Sequence, residues 1–325
     1  MTRLPLFLGS LFWLLILQPV SAATNSPTPP SAVPRPVSLP ELLDRAVKKT
    51  LDEFAPQKLL SNQLAVTLIN LRDPQRPEQA SYRGDEQVYP ASVVKLFYLA
   101  ATHRWLEDGR LKESPELTRA ARDMIVDSLN EATGYIVDCL TDTTSGPELA
   151  PDALDAWYQK RNAVNRYFSS LGYTHINVNR KPWCEGPYGR EQQSVQAHKP
   201  NHRNWLTTDA TARLLSEIAL GKAVSAARSQ EMMALLKRDP SPKTGEPGDQ
   251  AHAFTGLALP NGARLWSKAG WTSQTRHDAA YVELPDGARF VLVIFTVDHA
   301  GERGIIPAVA RTIIEGLSAR QPEKD

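Results

Sequence analysis

Apolar residues recur along this chain with more than one rhythm. Over residues 40–54 they come every three or four positions, with Leu42, Leu43, Ala46, Val47 and Leu51 on one side, which predicts an amphipathic helix. Residues 64–71, LAVTLINL, form an apolar run of strand length, and the Arg72-Asp73-Pro74 turn leads to a second strand at 79–84. Residues 88–106, VYPASVVKLFYLAATHRWL, behave differently. Pro90 introduces a helix that stays apolar for three turns through Val93, Val94, Leu96, Phe97, Leu99, Ala100 and Ala101. A helix apolar almost all round is buried, yet this one carries Ser92 and Lys95 one turn apart on one face. A buried lysine is costly unless it has partners.

The middle of the chain is helical. Leu117, Ala120, Ala121, Met124 and Ile125 give residues 113–128 a helical period, and 133–140 form another apolar stretch. Asp152 can cap a helix that reaches Leu171 by way of Leu154, Trp157, Val164 and Phe168. Residues 172–206 show no periodicity, and a structureless run of that length inside a compact domain is often functional. Helices follow at 208–220 and 226–236, then a Pro- and Gly-rich loop at 239–249. The last block reads as a strand at 264–271, a hairpin of strands at 277–284 and 289–297 around Pro285-Asp286-Gly287, and a helix at 307–317. This order predicts an α/β (α+β) fold. Its five-stranded antiparallel sheet is flanked by helices, the terminal ones on one face. An all-helical subdomain, about 107–255, is inserted between strands 2 and 3 and covers the other face.

The first segment stands outside that fold. Arg3, the apolar run 6–17 and the small residues Val20-Ser21-Ala22 read as a signal peptide over 1–22. The run is short against the roughly 20 residues of a membrane span. Pro27, Pro29, Pro30, Pro34 and Pro36 make 23–38 a linker, and 39–325 the globular domain. The chain is therefore expected to be secreted or periplasmic, with no integral membrane segment after cleavage. Its 37 basic and 36 acidic residues come into balance once Arg3 is removed, which gives no support for a nucleic-acid partner. The two cysteines, Cys139 and Cys184, are expected to form a disulfide in an exported chain; two buried thiols are the other reading.

Ser-x-x-Lys alone is a common spacing. Here it is joined by Ser128-Leu129-Asn130 in the helical middle and Lys268-Ala269-Gly270 on the first strand of the last block. In that order, with the run SKAGWTSQTRHDAAYVELPDGARFVLVIFT, residues 39–320 resemble the serine hydrolases that recognise penicillin: class A β-lactamases and their D-alanyl-D-alanine peptidase relatives. The resemblance implies that Ser92 is the nucleophile, forming an acyl-enzyme, with Lys95 as its proton partner. Ser128 and Lys268 pass the proton to the leaving nitrogen, and Lys268 adds positive charge for a substrate carboxylate. Asn130 binds the substrate amide, and Gly270 belongs to the strand that lines the substrate. The backbone N–H groups of Ser92 and Trp271 form the oxyanion hole. A β-lactam or a peptidoglycan stem peptide is the implied partner. No cofactor and no metal is implied, and the chain is expected to act as a monomer.

The sequence departs from the family pattern in two places. Ala269 stands where a Thr or Ser hydroxyl helps to bind the carboxylate, and Arg276 is the candidate to compensate. The deacylation base is expected in the segment Asn179-Arg180-Lys181-Pro182-Trp183-Cys184-Glu185-Gly186. Glu185 is the first candidate and Glu191 the second, but Gly189 replaces the Asn expected four residues after Glu185. If Cys139 and Cys184 were bridged, that segment would be pinned beside Ser128. Lys243-Thr244-Gly245 spells the family's usual motif, but it lies in a loop where it cannot pair with an extended substrate. His277-Asp278 reads as a structural polar pair. His198 and His202 are four apart, but Pro200 argues against a metal-binding helix. Trp183, Tyr188 and Trp205 read as core or loop anchors, and Trp271 adjoins the site. β-Lactam hydrolysis is the first reading of function. A D-alanyl-D-alanine carboxypeptidase and a non-catalytic peptidoglycan- or partner-binding protein are the alternatives.

Overall fold

In the computed structural model, Met1 and residues 37–183, 186–199, 202–241 and 248–318 are described. The expected leader and most of the linker, the Lys243-Thr244-Gly245 loop, Cys184 and Glu185 lie outside the described residues.

The strands are β1 (Leu64–Asn70), β2 (Glu78–Tyr82), β3 (Lys237–Arg238), β4 (Arg264–Trp271), β5 (Thr275–Glu283) and β6 (Arg289–Val297). The helices are α1 (Leu39–Glu53), α2 (Lys95–Glu107), α3 (Pro115–Arg122), α4 (Asn130–Thr141), α5 (Pro151–Arg161), α6 (Ala163–Ser170), α7 (Gly189–Ala197), α8 (Thr208–Ala219), α9 (Ala226–Leu236) and α10 (Ile305–Ser318). The strands form one antiparallel sheet in the order β2-β1-β6-β5-β4-β3. It has six strands where five were expected. The addition, β3, is two residues that pair with Trp266 and Leu265 as the chain leaves α9, too short to give any pattern.

Period-2 alternation along β6 divides the molecule into two cores. Phe290, Leu292 and Ile294 face α1 and α10, while Val291, Val293 and Phe295 face the helical half. α1 starts on a capping box in which Ser38 and Glu41 satisfy each other's backbone N–H groups. α2 is the axis of the helical half. Leu96, Phe97, Tyr98, Leu99, Ala100 and Ala101 are all at most 1% exposed, as an all-apolar helix requires.

Two expected helices differ in detail, and a stretch without periodicity holds a third. The helix over 113–128 is α3 followed by a π turn at Asp123–Asp127. The helix from 152 to 171 breaks at Asn162, whose side-chain oxygen accepts from Asn165 and Asn179. The unpatterned stretch 172–206 contains α7, and its neck is closed by bridges between Asn177 and Trp205 and between Val88 and Leu206. The bridges are backbone hydrogen bonds, supported by the side chains of Asn177 and Asn204, and they leave no hydrophobic period to read.

Leu292 lies in the centre of the sheet with no exposed surface. Leu292→Ala is expected to destabilise the domain by about 2–5 kcal/mol, read as a lower urea midpoint with an unchanged m-value.

Candidate active site

Four local devices assemble the cleft. The first is the turn Ala91–Val94, a single 3-10 turn in which Ala91 takes φ 45°. A side-chain-bearing residue held there stores about 1–3 kcal/mol of strain. It places Ser92 where α2 begins, and the backbone N–H of Lys95 donates to Ser92 O. The second is the π turn. Its extra residue throws Ser128 into the left-handed region, φ 59°, so that both its carbonyl and its hydroxyl reach the interior. The third is α4, which starts at Asn130. The fourth is β4, whose Gly270 lies so close to the Ser92 turn that a Cβ would sit 2.7 Å from Ser92 N and 2.8 Å from Pro90 O.

Within that frame the polar groups converge. Lys95 Nζ donates to Ser128 O at 2.5 Å and to Asn130 Oδ1 at 2.9 Å, and lies 3.2 Å from Ser128 Oγ. Lys268 Nζ lies 2.9 Å from Ser128 Oγ and donates to Gln250 Oε1 at 2.6 Å and Ala269 O at 2.9 Å. One hydroxyl thus bridges two amines that are both fully buried. Burial pushes the Lys268 ammonium well below its ordinary pKa; Lys95 and Arg238 push the same way, and Asp278 opposes them. Gln250 Oε1 and Ala269 O can only accept hydrogen bonds. Of these three partners only Ser128 can exchange a proton with Lys268.

The structure brings Ser92, Lys95, Ser128, Asn130, Lys268 and Gly270 together. It does not bring Arg276 to them. Gly270 pairs with His277 and Trp271 with Arg276, so Arg276 points to the other face of the sheet. Its guanidinium donates to Ala253 O and lies 4.0 Å from the Phe254 ring centroid. Ala269 shares that face, and its methyl is buried in the core under α10. Trp271 is partly exposed beside Phe254. His277 is a structural residue: Nε2–H donates to Tyr89 O at 2.9 Å and Nδ1 accepts from Thr296 N at 3.1 Å. Asp278 accepts from the Thr255 N–H behind the sheet.

Glu191 is committed elsewhere. Its Oε1 takes Arg161 at 2.6 Å, Ser145 at 3.0 Å and Lys181 at 3.5 Å, while Asp138 takes Lys181 at 2.6 Å and Arg161 at 3.3 Å. This four-charge cluster joins α4, α5, α7 and the segment before Trp183. Glu185 lies outside the described residues. Cys139 is a free, half-buried thiol; Cys184, its expected disulfide partner, lies outside the described residues. His198 stacks on Tyr158 and His202 is buried beside it. Among the described residues no group of three or more His, Cys, Asp or Glu could hold a metal, and no helix is long and apolar enough to cross a membrane.

Beside Asn130 a pocket of about 520 Å³ opens between α4 and residues Lys181, Pro182, Trp183, Gly186 and Tyr188, with Glu131 and Tyr135 also in its lining. Sequence reasoning missed Gln250 and Arg238, which carry no pattern. It also missed Arg161, which did leave a signal: it is a charge on the apolar stripe of Leu154, Trp157 and Val164.

The sequence profile of the β-lactamase enzyme family matches residues 47–317. The chain belongs to that family. It has the fold and the serine-hydrolase character of the β-lactamase type. A β-lactamase from Sphaerobacter thermophilus superposes with a TM-score of 0.58 at 20% identity, covering 86% of this chain and 98% of that one. A β-lactamase from Chitinophaga pinensis gives 0.59 at 19%, covering 83% and 98%. PBP-A gives 0.59 at 19%, covering 85% and 96%, and a PBP-A variant solved as its acyl-enzyme with penicillin G gives 0.57 at 19%, covering 84% and 96%. No curated protein matches the chain.

Two outcomes are expected of this site. Gly270→Ala should push the Ser92 turn away from β4 and slow acylation on the order of 100-fold, measured with a fluorescent penicillin, while the melting curve stays cooperative. Burial holds His103 and His277 near pKa 4 and His202 near 3. These values lie below the unfolded value, so the unfolded chain binds more protons as pH falls from about 6.5 to about 4. Stability is therefore expected to be full above that window and to drop through it, read as Tm against pH.

Proposed function

We propose that the protein is an exported, class A-type β-lactamase that opens β-lactam amides through an acyl-enzyme on Ser92. The observation that carries this reading is the Ser128 hydroxyl bridging Lys95 and Lys268 beside the Ser92 turn. Ser92 Oγ attacks the lactam carbonyl carbon, and Lys95 takes the hydroxyl proton. The oxyanion that forms lies against the N–H groups of Ser92 and Trp271. The C–N bond breaks as the nitrogen receives a proton from Ser128, which is replenished from the lysines. Water then cleaves the Ser92 ester, releasing a carboxylate and restoring the hydroxyl. Glu185, in the segment after Trp183, is the base we assign to that step. Lys268 supplies the positive charge for the substrate carboxylate, and no cofactor enters the scheme. The leader over 1–22 and the linker over 23–38 support export to the periplasm, where such hydrolysis confers antibiotic resistance. The chain acts as a monomer.

A second reading, a D-alanyl-D-alanine peptidase, draws on Ala269 and on the commitment of Glu191 to its ion pairs. The fold of PBP-A, a variant of which was trapped as an acyl-enzyme with penicillin G, is compatible with it. The two readings share the nucleophile and differ in deacylation.

Intact-mass measurement over time after addition of penicillin G separates them. A transient adduct with hydrolysed drug is expected. An adduct that persists, with D-alanine released from a stem peptide, supports the peptidase. Absence of any adduct on the native protein, matching Ser92→Ala, overturns both.

A further inference from the structure

Lys268 is held from a direction that neither motif nor period reveals. Gln250 is only 8% exposed and uses both ends of its amide. Oε1 accepts from Lys268 Nζ at 2.6 Å and from the Ala269 backbone N–H at 3.1 Å. Nε2 donates to Val126 O at 3.0 Å and to Ile125 O at 3.4 Å. Those two carbonyls belong to the π turn that delivers Ser128. One side chain thus joins the turn that carries the proton-shuttling hydroxyl to the strand that carries the lysine.

The acceptor is also neutral. The charged groups that act on Lys268 are Lys95 from α2, Arg238 from β3 and, from the other face of the sheet, Asp278 on β5. Arg238 is fixed by Ile125 O at 2.9 Å and Ser267 O at 3.1 Å. Asp278 is the single acid among them, and burial raises its pKa, which weakens it as a counter-charge. A glutamate in place of Gln250 would make a direct ion pair with Lys268. The glutamine gives the same geometry without cancelling the charge.

We propose that Gln250 is a positioning residue for Lys268. It aims the amine at Ser128 Oγ and leaves its positive charge available to the substrate carboxylate, a task for which Ala269 offers no hydroxyl. The inference rests on the acyl-enzyme reading above.

The test uses Gln250→Glu and Gln250→Met in the whole protein. Two probes are compared: a fluorescent penicillin with its free carboxylate, and the methyl ester of the same compound. For Gln250→Glu, the ratio of acid to ester acylation kcat/KM is expected to fall about tenfold, mainly through KM. The basic limb of its pH profile should move up, because the added carboxylate favours the ammonium. Gln250→Met should lose more rate with the acid than with the ester. A purely structural role would slow both probes equally and leave the pH profile in place. That result, or rates equal to those of the unsubstituted protein, overturns the proposal. If Gln250→Glu does not melt cooperatively, an unchanged acid-to-ester ratio in Gln250→Met overturns it alone. Failure of the unsubstituted protein to label at Ser92 sinks the acyl-enzyme reading instead, so the two failures are distinguishable.

Discussion

Two lysine amines buried around one hydroxyl are the constraint on which this molecule turns. An isolated ammonium in a dry interior is prohibitively costly, so each nitrogen needs acceptors at fixed positions. The chain supplies them from places that regular structure would not reach. The left-handed Ser128 turns its carbonyl inward, the start of α4 presents Asn130 Oδ1, and a loop glutamine and the Ala269 carbonyl complete the set on the Lys268 side. The π turn, the strained Ala91 and the glycine at 270 are the backbone terms of the same requirement. Two cores on either side of one sheet hold these irregular pieces still.

Much of that architecture is legible in the sequence because it is repetitive. The apolar run of 289–297 behind the Pro285-Asp286-Gly287 turn and the helical period of 40–54 each mark one element, and the terminal helices and sheet follow from such runs. The helical middle is legible as helix but not in its breaks. A π turn adds one residue without altering composition, and Asn162 ends α5 by accepting hydrogen bonds from other asparagines. The two-residue β3 is invisible for want of length.

The site shows the same division. Ser92, Lys95, Ser128, Asn130 and Lys268 are readable because their spacing is tied to element boundaries. Arg276 lies on the face of the sheet opposite Lys268, since one position along a strand exchanges the faces, and its guanidinium goes to Ala253 O. The group that does hold the lysine, Gln250, lies at the end of a Pro- and Gly-rich stretch where nothing repeats. Glu191 sat in an unpatterned loop, and only the fold shows that Arg161, some thirty positions earlier on an apolar stripe, is its partner.

The outer edge of β4 has a consequence for solubility. An open strand edge invites any extended chain to pair with it, another copy of the protein included. Here the edge is closed by unlike means along its length. β3 pairs at Leu265 and Trp266, the Arg238 guanidinium takes Ser267 O, and Gln250 takes the Ala269 N–H. By alternation the next outward-facing residue is Trp271, at the mouth of the cleft. The protein can thus keep a stretch of sheet edge available to a small ligand while offering too little continuous backbone for a second polypeptide to adhere.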